Sequence, residues 1–335
     1  MRAASGQRPR VAISRLNMPS DPARRLADVA EVREWNRFEH PSAADLRVLT
    51  DGADVLLCVN GDEIDPALLE ASPDLRLIAL ASTGYDSVDV GAADRLDIAV
   101  TNSQGTLHET TADLTFGLIL AARRRISEAE RYLRAGDWRQ DDLDLMLGLD
   151  VWGATLGIVG YGQIGQAVAR RAHGFGMTVI HHRRTRGDDQ WSRWVEFDEL
   201  LRTSDIVSLH VPSTPETRLL IGERELRMMK PTATLVNAAR GAVVDEAALA
   251  RALREGWIGS AGLDVLQEEP VPDPSSELFD LPNCVIVPHI GSATRAAREA
   301  MVHMATRNII EFTAGRPLIT PVGRITRAAV ERVPR

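Results

Sequence analysis

Residues 154–182 read ATLGIVGYGQIGQAVARRAHGFGMTVIHH, and the fold turns on how this stretch is read. An apolar run too short for a helix, ATLGIVG (154–160), leads into the turn Gly160-Tyr161-Gly162-Gln163-Ile164-Gly165. A helix-like segment, QAVARRAHGFG, and a second apolar run, MTVIHH (177–182), follow it. Strand, glycine turn, helix and strand make one βαβ unit. In that setting the three glycines have separate jobs: a tight turn, close backbone approach to a pyrophosphate, and close packing of helix on strand. The helix N-terminus then presents free N–H groups and the positive end of its dipole to an anion. The spacing predicts a dinucleotide site at Gly160, Gly162 and Gly165, with Gln163 and Ile164 in the same turn.

Outward from this unit, short aliphatic runs alternate with helical patterns. RVAIS (10–14), DVLLCV (54–59), LRLIAL (75–80) and IAVTN (98–102) precede it as buried parallel strands. DIVSLH (205–210), ATLVNAA (233–239), SAGLDV (260–265) and NCVIVPH (283–289) extend the second series. Two βαβ series predict an α/β protein with two doubly wound parallel-sheet domains. One is a Rossmann-type cofactor domain over 107–291. The other, flavodoxin-like, is discontinuous and built from 1–106 and 292–335. The pattern predicts one long helix over 109–136 crossing between the domains, and a helix over 294–315 returning the chain to the first sheet. A cleft between the domains is the expected consequence.

Of the 335 residues, 44% are apolar and 26% charged, ordinary values for a globular protein. A net charge of −8 argues against sequence-independent binding to nucleic acid, which needs Lys and Arg against phosphates. Cys58 and Cys284 lie in apolar runs and read as buried, reduced thiols. The charged start MRAASGQRPR leads into no signal-like apolar segment, and the longest apolar stretches, such as FGLILAA (116–122), are too short to span a bilayer. The expectation is a cytoplasmic protein without membrane contact, with a loosely ordered basic tail after Pro321.

The strand 177–182 lacks an expected feature. An NAD site usually ends its second strand in an acid that holds the ribose hydroxyls. Here the strand ends His181-His182-Arg183-Arg184-Thr185-Arg186, with Arg183 about where the acid would stand. Guanidinium groups bind phosphate in a planar, often bidentate way. The reading is a preference for NADP(H) at Arg183, Arg184 and Thr185, with NAD(H) possible; a solvated basic run remains the alternative. Pro212 and Ala238 complete the expected cofactor set.

Three complementary polar residues occur at the ends of successive strands, where open α/β sheets place their ligands. Arg240 follows LVNAA, Glu269 follows GLDVLQE, and His289 follows VIVP. With MKPTATLVNAARGAVVDE (229–246), AGLDVLQEEP (261–270) and VPHIGSAT (287–294), the chain resembles the D-isomer-specific 2-hydroxyacid dehydrogenase family over nearly its whole length. It looks most similar to the glyoxylate/hydroxypyruvate reductases and 2-ketogluconate reductases. The resemblance implies that Arg240 binds a 2-oxo acid carboxylate and polarises its carbonyl. His289 would be the general acid, and Glu269 would orient its ring and help it keep the proton. Asp264 matches the position that holds the nicotinamide carboxamide. Thr111 matches a position near the cofactor, and a helix N-terminal role is an equal alternative. The loop ASTGYDSVD (81–89) resembles the family's substrate loop, with Thr83 and Gly84 as an anion-binding nest. Ser82-Thr83 and Ser87 depart from the family pattern there, which bears on substrate fit.

The expected activity is NADPH-preferring reduction of a small 2-oxo acid of the glyoxylate, hydroxypyruvate or 2-ketogluconate class to the D-2-hydroxy acid. The alternatives are an NAD-linked, phosphoglycerate-type dehydrogenase and a cofactor-sensing, corepressor-like binding protein. The resemblance implies a homodimer, through the cofactor domain and residues 138–153. His173, His181, His182 and His303 lack metal-ligand spacing, and no metal site is expected.

Overall fold

Short aliphatic runs whose side chains alternate between two faces make strands that are covered on both sides. Both sheets of the protein are built this way. The structure is a computed structural model and describes residues 8–15, 18–140, 142–270 and 273–323. The basic tail from 324 onward and the first seven residues therefore lie outside the described residues. The chain divides into two compact units, one running to Leu107 and resuming at Ala293, the other spanning His108–Ser292.

In the first unit β1 (Arg10–Ile13), β2 (Glu31–Glu34), β3 (Val55–Cys58), β4 (Leu77–Leu80) and β5 (Ala99–Thr101) form a parallel sheet in the order β2-β1-β3-β4-β5. The last strand of the chain, β13 (Pro321–Val322), adds to β5 antiparallel. Leu56, Cys58, Ile78 and Leu80 pack on one face against Leu46, Leu68 and Leu69. Val55, Leu57, Leu77 and Ala79 pack on the other against Val302, Ala305, Ile309 and Phe312. These last four belong to the helix Arg295–Thr313, so burial of its apolar stripe brings the end of the chain back to the first sheet.

The second unit contains β6 (Thr155–Val159), β7 (Thr178–His182), β8 (Arg193–Trp194), β9 (Ile206–Leu209), β10 (Thr234–Asn237), β11 (Ser260–Leu263) and β12 (Cys284–Ile286). All pair in parallel, in the order β12-β11-β10-β9-β6-β7-β8. Strand order reverses between β6 and β9, and the glycine turn follows β6 at that switch point, where doubly wound sheets bind ligands. Among the described residues no helix is long and apolar enough to cross a membrane. Cys58 and Cys284 are buried free thiols.

The long helix read over 109–136 is two helices, His108–Arg123 and Ile126–Arg134, broken where Arg125 takes φ 53°. The first of them lies wholly inside the second unit. Three strands carried no apolar signal. β2 is an edge strand of sequence EVRE with no buried residue, and β8 and β13 are only two residues long.

Candidate active site

The C-terminal ends of β10, β11 and β12 carry Arg240, Asp264, Glu269 and His289. Gly241 explains how the first meets the third: a Cβ there would lie 1.9 Å from the Leu266 carbonyl oxygen, so only glycine lets the Arg240 turn approach the 266–269 loop. In that loop the Leu266 amide donates to Glu269 Oε1 at 2.8 Å. The other carboxylate oxygen, Oε2, lies 2.7 Å from His289 Nδ1. Burial alone would raise the Glu269 carboxyl. The His289 and Leu266 hydrogen bonds and the nearby His289 and Arg240 charges outweigh it and hold the group below its ordinary range. Arg240 Nη1 donates to the Ala239 carbonyl at 2.7 Å, and Asn237 braces the turn by donating to the Arg240 carbonyl at 2.9 Å.

His289 itself has φ 49°, in the left-handed region that costs most residues roughly 1 kcal/mol or more. Three successive amides hold it there, and all three end on Asp264. The His289 N–H donates to the Asp264 carbonyl at 2.8 Å, that of Ile290 to Oδ1 at 2.6 Å and that of Gly291 to Oδ2 at 2.9 Å. Asp264 is 2% exposed, and burial raises its carboxyl against the pull of those amides. Thr111, on the first turn of His108–Arg123, donates its hydroxyl to the Gly291 carbonyl at 3.2 Å and joins the same cluster. With one imidazole nitrogen fixed by a carboxylate and the other directed away from it, the arrangement suits proton delivery from Nε2.

The cofactor cradle is in the same unit. A Cβ on Gly160 would lie 2.5 Å from the His210 carbonyl oxygen, and one on Gly165 would lie 2.5 Å from that of Gly160. β9, the turn and the helix Gln163–Gly174 are therefore packed backbone to backbone. A Cβ on Gly162 meets nothing within 4 Å, and no side chain caps the helix there. Open space over uncapped helical N–H groups fits a pyrophosphate. Ala238 follows β10 and is buried, while Pro212 is exposed after β9.

Beyond β7 the arginines have different surroundings. Arg183 lies with its guanidinium carbon 5.9 Å from the Tyr161 ring centroid and donates through Nε to the Thr185 carbonyl at 3.0 Å. Arg184 is exposed and helps lower the Glu216 carboxyl, after that group's hydrogen bonds to Thr214 and its own backbone. Arg186 is paired with Glu196 and stacked 4.6 Å from the Trp194 ring, so it is committed elsewhere. Tyr161, Asp189 and His210 were not singled out from the sequence, although each contacts this machinery. Tyr161 is the variable residue of its motif, and Asp189 sits in a polar loop without periodicity.

Thr83 and Gly84 belong to the first unit, in the loop after β4. The Thr83 carbonyl accepts from Asn102 Nδ2 at 2.8 Å and the Gly84 carbonyl from Ser82 Oγ at 2.8 Å. Among the described residues neither of their amides is donated to another group, as an anion nest requires.

Residues 116–291 match the model for the NAD binding domain of D-isomer specific 2-hydroxyacid dehydrogenases. The chain belongs to this family. Similarity to known members extends beyond that segment. A glyoxylate reductase from Thermococcus litoralis is 44% identical over 316 residues, 92% of this chain and 95% of that protein. The crystal structure of the TT0316 protein from Thermus thermophilus superposes with a TM-score of 0.88 at 44% identity, covering 93% of this chain and 99% of that one. An NADPH-dependent glyoxylate/hydroxypyruvate reductase from Sinorhizobium meliloti, solved with NADP and malonate, gives 0.85 at 31% identity, covering 96% and 98%. As a D-2-hydroxyacid dehydrogenase family member, the protein is an NAD(P)-dependent oxidoreductase that acts on a small 2-oxo acid.

Proposed function

We propose that this dehydrogenase works as an NADPH-preferring reductase of a small 2-oxo acid of the glyoxylate, hydroxypyruvate or 2-ketogluconate class, forming the D-2-hydroxy acid. The observation that carries the reading is the His289–Glu269 pair at 2.7 Å beside Arg240. Nicotinamide, when bound, would supply the hydride. His289 Nε2 would give a proton to the substrate carbonyl oxygen, and Glu269, against Nδ1, would orient the ring. Arg240 takes the substrate carboxylate; within the first unit, the Thr83 and Gly84 amides are proposed as donors to an anion. Asp264 acts through the 289–291 backbone and is assigned to the carboxamide side of the cofactor together with Thr111.

NADPH preference rests on Arg183 and Arg184, which offer cations at the end of β7 where an NAD site offers a carboxylate. A relative named for NADPH-dependent reduction of glyoxylate and hydroxypyruvate supports the same choice.

Replacing His289 with Ala tests the proton-transfer role. General acid catalysis is worth about 10²–10⁴-fold, so reduction should fall by that factor while NADPH affinity is kept. Near-normal turnover in His289→Ala would remove the histidine from the mechanism.

A further inference from the structure

The loop between β7 and β8 holds two acids, Asp188 and Asp189, close behind the arginines that would read a 2′-phosphate. A carboxylate free to move there would pair with Arg183 and repel the phosphate. Neither is free. The Trp194 amide donates to Asp188 Oδ1 at 2.6 Å. Asp189 Oδ1 accepts from the Trp191 and Ser192 amides at 2.8 and 3.0 Å, and the Tyr161 hydroxyl lies 2.9 and 3.0 Å from its two oxygens. Tyr161 is thus the side chain that restrains Asp189, and its ring is also the surface over which Arg183 lies.

We propose that Tyr161 is a positioning residue for cofactor selectivity: its hydroxyl sequesters the Asp189 carboxylate and so leaves the Arg183 guanidinium available to a 2′-phosphate. The inference rests on the NADPH reading above and adds to it a residue inside the glycine motif. Tyr161 is itself well fixed. It is 4% exposed and stacks on the buried His181 ring, with centroids 3.9 Å apart and planes 17° apart. His181 Nδ1 lies 2.9 Å from Ser192 Oγ, tying the same loop to β7. Burial, then the Asp189 carboxylate, push the phenol above its ordinary range, so it remains a donor throughout the neutral region. Among the described residues no carboxylate forms an ion pair with Arg183, the arrangement that sequestration predicts.

The test is calorimetric binding of 2′,5′-ADP and 5′-AMP to wild type, Tyr161→Phe, Asp189→Asn and the double variant. Phe keeps the ring stack, and the thermal midpoint of each variant reports whether it folds. In wild type 2′,5′-ADP should bind more tightly. Tyr161→Phe should reduce that preference about two- to fivefold, as freeing one partly exposed charge would. Asp189→Asn in the same chain should restore the preference, because the freed side chain no longer carries charge. A purely structural role would weaken both nucleotides equally and show no rescue. Equal binding of the two nucleotides by wild type would overturn the NADPH reading itself. Wild-type preference with an unchanged ratio in Tyr161→Phe, or a fallen ratio without rescue, would overturn the inference and leave that reading standing.

Discussion

His210 follows β9, with Nε2 2.8 Å from Ser208 Oγ and its carbonyl oxygen 2.5 Å from where a Gly160 Cβ would be. Burial lowers its imidazole from the ordinary 6.5 to about 4, and Nδ1 is buried without a hydrogen-bond partner among the described residues. The residue as a whole is partly buried, and Nδ1 is fully buried. The consequence is acid sensitivity. Below about 6.5 the unfolded chain takes up a proton that the folded chain refuses, so stability is complete above 6.5 and declines as pH falls toward 4. A tenfold change in proton affinity corresponds to about 1.4 kcal/mol, so the loss approaches ~3 kcal/mol. Urea titrations from about pH 7 to 4 should show that decline, and His210→Asn should flatten it; an equal slope in both proteins would contradict the assignment. Glu269, held below the ordinary carboxylate range, stays ionised over the upper part of this window. At this scale the His289–Glu269 contact beside Arg240 was foreseeable as a juxtaposition, because each residue lies in the loop after a readable strand. The Tyr161–Asp189 contact was not, because folding brings together residues 28 positions apart that share no periodic pattern.

At the scale of elements, the approach of the β10 turn to the loop after β11 depends on Gly241. Gly241→Ala would drive its Cβ into the Leu266 carbonyl and separate Arg240 from the loop that holds Glu269. Overpacking of this kind costs about 1–3 kcal/mol, so a lower thermal midpoint and a large fall in kcat are expected together. An unaltered midpoint with full activity would show that the turn can shift at little cost. Legibility followed burial. VLLC and LIAL, covered on both faces, were plain as strands, whereas EVRE on the sheet edge was not. The break between the helices His108–Arg123 and Ile126–Arg134 falls in ARRRIS, which holds neither Gly nor Pro. Propensity favours continuing the helix there, and only the left-handed backbone of Arg125 ends it.

Across the whole molecule, each unit has its own two-faced core, so each sheet buries apolar side chains on both faces within its own unit. The second unit also carries apolar surface that no described residue covers. The helix Ile126–Arg134 has no buried residue, Leu143 and Leu147 are exposed, and Trp152 is 78% exposed. Surface of this kind on one unit fits a proposed homodimer through the cofactor-binding unit and residues 138–153. Light scattering should give twice the chain mass for wild type and a lower mass for Leu143→Asp; a monomeric wild type would contradict the pairing. The central claim, reduction of a 2-oxo acid with preference for NADPH, is tested most directly by initial rates. NADPH and NADH consumption would be followed side by side with glyoxylate, hydroxypyruvate, pyruvate and 2-ketogluconate, in wild type and in Arg183→Ala/Arg184→Ala. The account predicts turnover of at least one acid, faster with NADPH, and selective loss of the NADPH rate in the double variant. Equal rates with both cofactors, or the same loss of both in the variant, would contradict the preference; no turnover with either would contradict the reaction.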